Sequence, residues 1–217
     1  MKKNILLVLL GLILSTTGVH AQGRLGVKIS PGLSCGRVYT SPPNVEFSSA
    51  GTALSFKLGA VYDHPIQNNY YVGTGLFYAV QRIAVKNEEL SFGIKEAHVL
   101  YYLQIPLLLK LYTSELALDT RLYVALGGLG QIKINERNTE LQKNQKTPFI
   151  ETFRHWGFAG LLEVGVEYDI GLATSVFGGI SYQRGLSSVI DKHTQGPSNC
   201  FVRSYSDLVS IDLGVRF

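Results

Sequence analysis

The chain of 217 residues is 46% hydrophobic and only 17% charged, and it contains 23 Gly and 12 Tyr. Its formal net charge of +4 is small and its basic residues are not clustered, which excludes the electrostatic footprint of a nucleic-acid-binding protein. No linker, low-complexity tract or charge block divides the sequence. This composition favours a single all-β domain and is unlike that of an ordinary soluble protein.

The beginning of the sequence predicts export. Two lysines precede the apolar stretch Ile5 to Leu14, and Val19-His20-Ala21 then supplies the small-x-small pattern of a cleavage site. About ten apolar residues are too few for a membrane-spanning helix, which needs roughly 20, so a retained anchor is the weaker alternative. We therefore predict a signal peptide over residues 1–21 and one mature domain over residues 22–217.

The mature sequence alternates apolar and polar residues with the period of two that is typical of β-strands with one apolar face. Polar stretches separate these segments, and long connections alternate with short ones. The longest, residues 135–153, is predicted as a loop, and residues 63–69 as a short turn. The eight predicted strands span residues 24–34, 51–62, 70–85, 101–112, 121–134, 155–168, 173–186 and 205–217.

The even number of strands and the alternating connection lengths favour an up-and-down arrangement. Bacterial outer-membrane barrels have this form, with short periplasmic turns and longer external loops. We predict an all-β fold, an eight-stranded antiparallel up-and-down transmembrane β-barrel, located in the bacterial outer membrane with outer-membrane lipids as its surroundings. A soluble, lipocalin-like ligand-binding barrel is the alternative, with the same apolar face turned inward.

Charged residues inside the predicted strands fall on the parity opposite the apolar one. A basic residue facing lipid near the midplane costs roughly 2–4 kcal/mol, so a membrane barrel keeps charges off its outer face. Because unpaired buried charges are expensive, we expect acids and bases to offset each other in a structural plug; a conduction path or proton relay is the other possibility. The predicted lumen charges are Lys110, Arg121, Glu167 and Arg216 in a lower layer and Lys28, Lys57, Glu163 and Asp212 in a higher one.

Large aromatic residues on the apolar parity gather near strand ends. Trp156 and Tyr168 are separated by a length that, at about 3.3 Å per residue and a tilt near 40°, spans roughly 30 Å, close to the height of a lipid-facing band. A soluble barrel has no reason to sort its aromatic residues by height. The predicted aromatic girdles are Tyr62, Tyr70, Tyr168 and Phe217 on the periplasmic side and Tyr78, Tyr101, Trp156 and Tyr182 on the outer side.

The strand at residues 101–112 contains Pro106, which argues against a helix interior. In a closed barrel this proline forfeits one ladder hydrogen bond, so we expect a local bulge or a water there. The segment resembles the strand signature of the PorT-type outer-membrane β-barrel family of Bacteroidota, Tyr-x-(Glu or Gln)-Ile-Pro-Leu-Leu-x-(Lys or Arg). The motif falls on Tyr102, Gln104, Ile105, Pro106, Leu107, Leu108 and Lys110.

The resemblance implies a small integral outer-membrane protein with a structural or interaction role at the cell envelope. Some members of the family are linked to type IX protein secretion. The family supplies no catalytic, cofactor-binding or metal-binding residues to carry over, so we expect a non-enzymatic protein without a cofactor. The external loops, above all residues 135–153, are the expected contact for another envelope protein.

Two cysteines, Cys35 and Cys200, form a candidate disulfide. Cys35 ends the first predicted strand and Cys200 shortly precedes the last, and closure of a barrel makes these two strands neighbours. Export permits a disulfide, but pairing requires Cα atoms within roughly 7 Å. Free thiols are the alternative.

Polar residues near the outer strand ends raise one enzymatic alternative, an outer-membrane lipid acyl hydrolase or transferase. The cysteines and histidines lack metal-ligand spacing. Histidines at such a rim are usually interfacial polar groups. The residues concerned are His98, His155, His193, Ser187 and Ser188.

Overall fold

The computed structural model describes residues 23–41, 47–49, 51–87, 94–140, 150–171, 173–193 and 201–217. The predicted signal peptide and Cys200 lie outside these residues. No helix in this described part of the chain is long and apolar enough to cross a membrane. The strands are β1 (Arg24–Ser41), β2 (Phe47–Ser49), β3 (Thr52–Gln67), β4 (Tyr70–Asn87), β5 (Ile94–Tyr112), β6 (Thr120–Glu140), β7 (Ile150–Phe153), β8 (Trp156–Asp169), β9 (Ser175–Gly185), β10 (Ile190–His193) and β11 (Phe201–Arg216).

Eight long strands form a closed antiparallel barrel. Around the ring their order is β4, β3, β1, β11, β9, β8, β6 and β5, and pairing of β5 with β4 closes the sheet. The first and last of them, β1 and β11, pair from Gly26↔Arg216 to Ser41↔Phe201. The short β2 pairs with β4. The predicted fold, an eight-stranded up-and-down barrel, is confirmed.

The two faces of the barrel wall differ in chemistry. Along β8, exposure alternates residue by residue, so that Val164 is 50% exposed while the adjacent Glu163 is buried. Apolar side chains form the exposed outer surface, and the interior holds buried lysine, arginine, carboxylate, amide and hydroxyl groups. A water-soluble barrel buries its apolar side chains instead, because that burial drives its folding. The lipocalin-like alternative is therefore wrong.

Several strands extend past their predicted ends on the side of the long connections. β6 continues to Glu140, and β7 occupies the end of the segment 135–153 that the sequence predicted as a loop. β7 pairs with β10 in a separate two-stranded sheet, here called the outer ribbon. In the extension of β6, polar residues occupy both faces, so the period-two signal of a strand is absent from its sequence.

The turn predicted at residues 63–69 is shorter than expected. β3 continues to Gln67, and only residues 68 and 69 form the turn. Asp63 pairs with Gly73 across this hairpin, and a register shift follows Pro65. Asp and Pro are typical of turns, but Asp63 is buried in the lumen, where basic side chains bind it and keep it in the strand.

Of the two features expected at Pro106, the bulge does not form, and the water stays a prediction. The register with β4 is the same on both sides of it, with Thr74↔Leu107 on one side and Phe77↔Gln104 on the other. Pairing with β6 also continues through this position. The carbonyl of Pro106 accepts a hydrogen bond of 2.9 Å from the Thr74 hydroxyl. The ladder thus tolerates the missing N–H without an extra residue.

Leu126→Arg should lower the free energy of unfolding by about 2–4 kcal/mol, because it places a charge in lipid near the midplane. Leu126 is 63% exposed and pairs with Leu162, midway along β8 between Trp156 and Tyr168. Urea unfolding in lipid vesicles measures the effect. Leu118→Arg, in a short turn, is the control and should change stability by less than about 0.5 kcal/mol. Equal losses in both variants would contradict a lipid-facing Leu126.

Candidate functional site in the barrel lumen

The guanidinium of Arg216 lies in the half of the lumen nearer the short turns. Its side chain is 1% exposed; the distance from its Nε to Asp63 Oδ2 is 2.9 Å, and its Nη1 donates to Glu167. The guanidinium carbon is 3.9 Å from the centre of the Phe177 ring, a cation–π contact. Two acids from other strands therefore compensate this buried base, as burial of a charge requires.

Glu167 forms hydrogen bonds and ion pairs with side chains from five other strands of the ring. It is fully buried, and it accepts hydrogen bonds from the hydroxyls of Tyr112, at 2.8 Å, and Ser175, at 2.9 Å. Its partners come from β1, β5, β6, β9 and β11. The guanidinium groups around its carboxylate are those of Arg24 at 2.7 Å, Arg121 at 3.7 Å and Arg216.

Two further contacts bring in the remaining strands. Arg24 Nη2 donates to the hydroxyl of Tyr71 on β4 at 3.4 Å. Asp63 on β3 binds Lys110 as well as Arg216, with 2.6 Å between Lys110 Nζ and Asp63 Oδ1. These polar contacts connect all eight barrel strands. We call this group the lower charge cluster; it consists of Arg24, Asp63, Tyr71, Lys110, Tyr112, Arg121, Glu167, Ser175 and Arg216.

A second group, the upper charge cluster, consists of Lys28, Tyr123, Glu163 and Asp212. Lys28 Nζ lies 2.8 Å from Glu163 Oε2 and 3.1 Å from Asp212 Oδ2, and the Tyr123 hydroxyl donates to Glu163 Oε1 at 2.9 Å. Gly165 gives the Tyr123 ring its space, since a Cβ there would lie 2.6 Å from the ring. The cluster is compact because a glycine faces the aromatic side chain.

The structure places all eight predicted lumen charges on the inner face, and Arg121 alone among them is only half-buried. Seven have a partner of opposite charge within 4.0 Å; in the described residues, Lys57 has none. Three further lumen charges, Arg24, Asp63 and Asp169, are absent from the predicted set. Each shares the parity of a predicted lumen charge on its own strand, so parity extended to the strand ends would have found them.

Beside and above the upper charge cluster, amide and hydroxyl groups line the lumen. The Gln104 amide donates to Gln131 Oε1 at 3.2 Å, and the hydroxyls of Ser181 and Ser210 lie 2.8 Å apart. All four side chains are buried. Side chains fill the bore so closely that the cavity beside the upper charge cluster measures about 20 Å³, room for roughly one water molecule.

The outer face carries the predicted girdle residues. Six of the eight are exposed, while Tyr62 and Tyr101 are half-buried on the same face. The rings of Tyr78 and Tyr101 stack at 6.1 Å between centroids, and Trp156 meets Phe158 edge-on at 5.6 Å. The family strand motif lies within β5, with Gln104 and Lys110 among its inward residues. An anchoring role for the girdles stays a prediction.

The remaining candidate residues do not assemble into a site. Cys35 is exposed, and its predicted partner Cys200 is outside the described residues, so the disulfide stays a prediction. His98 is buried, whereas His155 is exposed; the side chain of His193 is also outside the description. In the described ranges, no group of three or more His, Cys, Asp or Glu side chains is arranged to hold a metal ion.

Comparison with known proteins agrees with this architecture. Residues 16–191 match the family described as outer membrane protein beta-barrel domain. The crystal structure of OprG from Pseudomonas aeruginosa is similar with a TM-score of 0.60 and 14% identity, over 91% of this chain and 97% of that one. Neisserial surface protein A gives a TM-score of 0.48 and 14% identity, over 89% and 97%. The comparison with curated proteins gives no significant match in sequence.

Glu167→Gln should lower the free energy of unfolding by about 3–5 kcal/mol, because it leaves buried guanidiniums without their carboxylate. Urea unfolding in vesicles measures the loss. Glu115→Gln is the control, because Glu115 is exposed in the short turn before β6. Exposed substitutions of this kind usually change stability by less than about 0.5 kcal/mol. Similar effects in both variants would show that the lower charge cluster adds little to stability.

Proposed function

Because the chain belongs to the outer membrane protein beta-barrel domain family, we propose that it is a closed, non-enzymatic barrel of the outer membrane that presents its outer rim to another envelope protein. The observation that carries the proposal is the lower charge cluster. Side chains from all eight strands meet around Glu167 and Arg216, and each strand is tied there by an ion pair or a hydrogen bond.

The filled lumen supports a structural rather than a conducting role. Water-filled channels occur in barrels of 16–18 strands, whereas the interior of an eight-stranded barrel is just wide enough for side chains. In this chain the inward residues are long and mutually paired, from Arg216 below to Gln104 and Gln131 above. A continuous ion path would require several of these pairs to separate together.

The outer rim supports the interaction role. β6 and β5 continue beyond the upper aromatic girdle, and β10 of the outer ribbon contacts β11. Arg137 and Asn135 on this rim are exposed. Polar, exposed strands and loops on a rigid scaffold are common places for binding. Outer-membrane lipids are the proposed partners of the apolar band, and an envelope protein is the proposed partner of the rim.

The strand motif at residues 102–110 supports a closer assignment to the PorT-type barrels of Bacteroidota, and with it a link to type IX protein secretion. Its polar members have interior roles here: Lys110 pairs with Asp63, and Gln104 with Gln131. These roles explain why a barrel of this kind would carry a polar residue at each position. They concern packing and electrostatics and identify no activity.

The contacts of Ser187 support the non-enzymatic proposal. Its hydroxyl donates to the carbonyl of Phe158 at 3.3 Å and accepts the N–H of the same residue at 2.8 Å. A catalytic serine needs a base within hydrogen-bonding distance of its hydroxyl. Here the backbone of β8 occupies the hydroxyl instead, so Ser187 serves to join the segment after β9 to β8.

Planar-bilayer recording tests the closed lumen. We expect the purified barrel to insert without stable single-barrel conductance, because paired side chains fill its bore. A sixteen-stranded porin in the same bilayer is the positive control, since its lumen is an aqueous channel. Reproducible conductance steps that scale with the number of inserted barrels would overturn the closed-lumen proposal.

Cross-linking in native membranes tests the partner. We expect the wild-type chain to capture an envelope protein, and a variant with residues 141–149 replaced by a short Gly-Ser linker to lose that capture. The control variant replaces residues 114–118 in a periplasmic turn and should capture the partner normally. Capture that survives the change at the outer rim would place the contact elsewhere and contradict the proposed role of this surface.

A further inference from the structure

Lys57 is the one lysine or arginine facing the described lumen that lacks an acidic partner. Its side chain is 4% exposed and lies on the inner face of β3. An uncompensated charge at such a position is costly, because the interior solvates it poorly. By contrast, each lysine and arginine of the two charge clusters is within 4.0 Å of a carboxylate: Arg24, Lys28, Lys110, Arg121 and Arg216.

The polar neighbours of Lys57 also lack partners. Ser30 is its cross-strand neighbour on β1, and Ser55 is the next inward residue on β3. Both side chains are buried, and neither hydroxyl has a hydrogen-bond partner. On β4, Gln81 follows the residue paired with Lys57 by two positions, and its Nε2 is likewise unpartnered. These buried polar groups lie on the strand of Lys57 and on both strands that pair with it.

The cavity of about 20 Å³ is lined by Lys57, Lys28 and Lys110, whereas the three unpartnered side chains are not among its lining residues. Glu163 is the only acid among its lining residues. Both oxygens of Glu163 are already engaged, one by Lys28 and the other by the hydroxyl of Tyr123. The cavity therefore has more positive than negative charge around it and space for one particle about the size of a water molecule.

We propose that this cavity binds one small monovalent anion of the chloride class, held by the ammonium group of Lys57. The anion supplies the negative charge that Lys57 lacks, as carboxylates do for the other buried bases. A single-atom halide is only slightly larger than a water molecule and matches the volume. Sulfate, phosphate and organic carboxylates exceed it. This site is independent of the proposed contact at the outer rim.

Urea unfolding of the full chain in detergent micelles, in sodium chloride or sodium gluconate of equal ionic strength, tests the site. A ligand that binds only the folded state raises stability with its concentration. We expect a higher unfolding midpoint in chloride than in gluconate, with a difference that saturates as chloride replaces gluconate. Bromide should act as chloride does. Identical midpoints in the two salts would mean that the cavity holds water beside an uncharged Lys57, and would overturn the proposal.

Lys57→Met and Lys57→Gln locate the effect. Each removes the charge at similar length, and a buried base replaced by an apolar side chain often leaves stability unchanged or higher, so we expect a folded barrel. The chloride dependence should disappear in both variants. Lys133→Met is the matched control, because Lys133 pairs with Glu136 at the rim, and should keep the full dependence. Dependence that persists without Lys57 would refute the site.

Direct detection separates a bound anion from a general salt effect. Crystals grown in sodium bromide should show one anomalous peak in the lumen beside Lys57, and crystals of Lys57→Met grown in the same salt should show none there. Bromide only at exposed positions on the barrel surface, in crystals of the wild-type chain, would contradict the proposal.

Discussion

The structure of this barrel depends on the contact between Arg216 and Glu167. A buried arginine loses hydration worth several kcal/mol, and only acids and hydroxyls in direct contact with it compensate that loss. Here those groups come from strands far apart in the sequence. Compensation is complete only when the ring is closed in one register. The same contact therefore sets the register of the wall and occupies the bore that a channel would need.

The fold followed from the sequence because lipid tolerates charge so poorly. Because of that constraint, apolar and polar residues alternate along each barrel strand, and the alternation can be recognised even in the Gly-rich β9. Parity also placed Lys28, Glu163 and Asp212 inside. It did not determine which base meets which acid, since the pairing depends on strand tilt and stagger around the ring, which no single strand encodes.

The features that the sequence did not predict arise where a long-range contact overrides the local conformational preference of a residue. Asp63 has the chemistry of a turn residue, yet Lys110 and Arg216 hold it inside β3. Pro106 has the chemistry of a bulge, yet both neighbouring strands keep their register across it. Lys57 was expected to share the acids of its layer, but Lys28 and Tyr123 bind the two carboxylate oxygens of Glu163.

The height of β6 sets how far this protein reaches from the membrane surface. Ile132 pairs with Trp156 of the upper girdle, and the strand then continues to Glu140. At about 3.3 Å per residue and a tilt near 40°, this length raises its end roughly 20 Å above the girdle. A rim at that height clears the lipid headgroups. For the proposed envelope partner, this height would favour an approach from beyond the membrane surface over lateral diffusion within the bilayer.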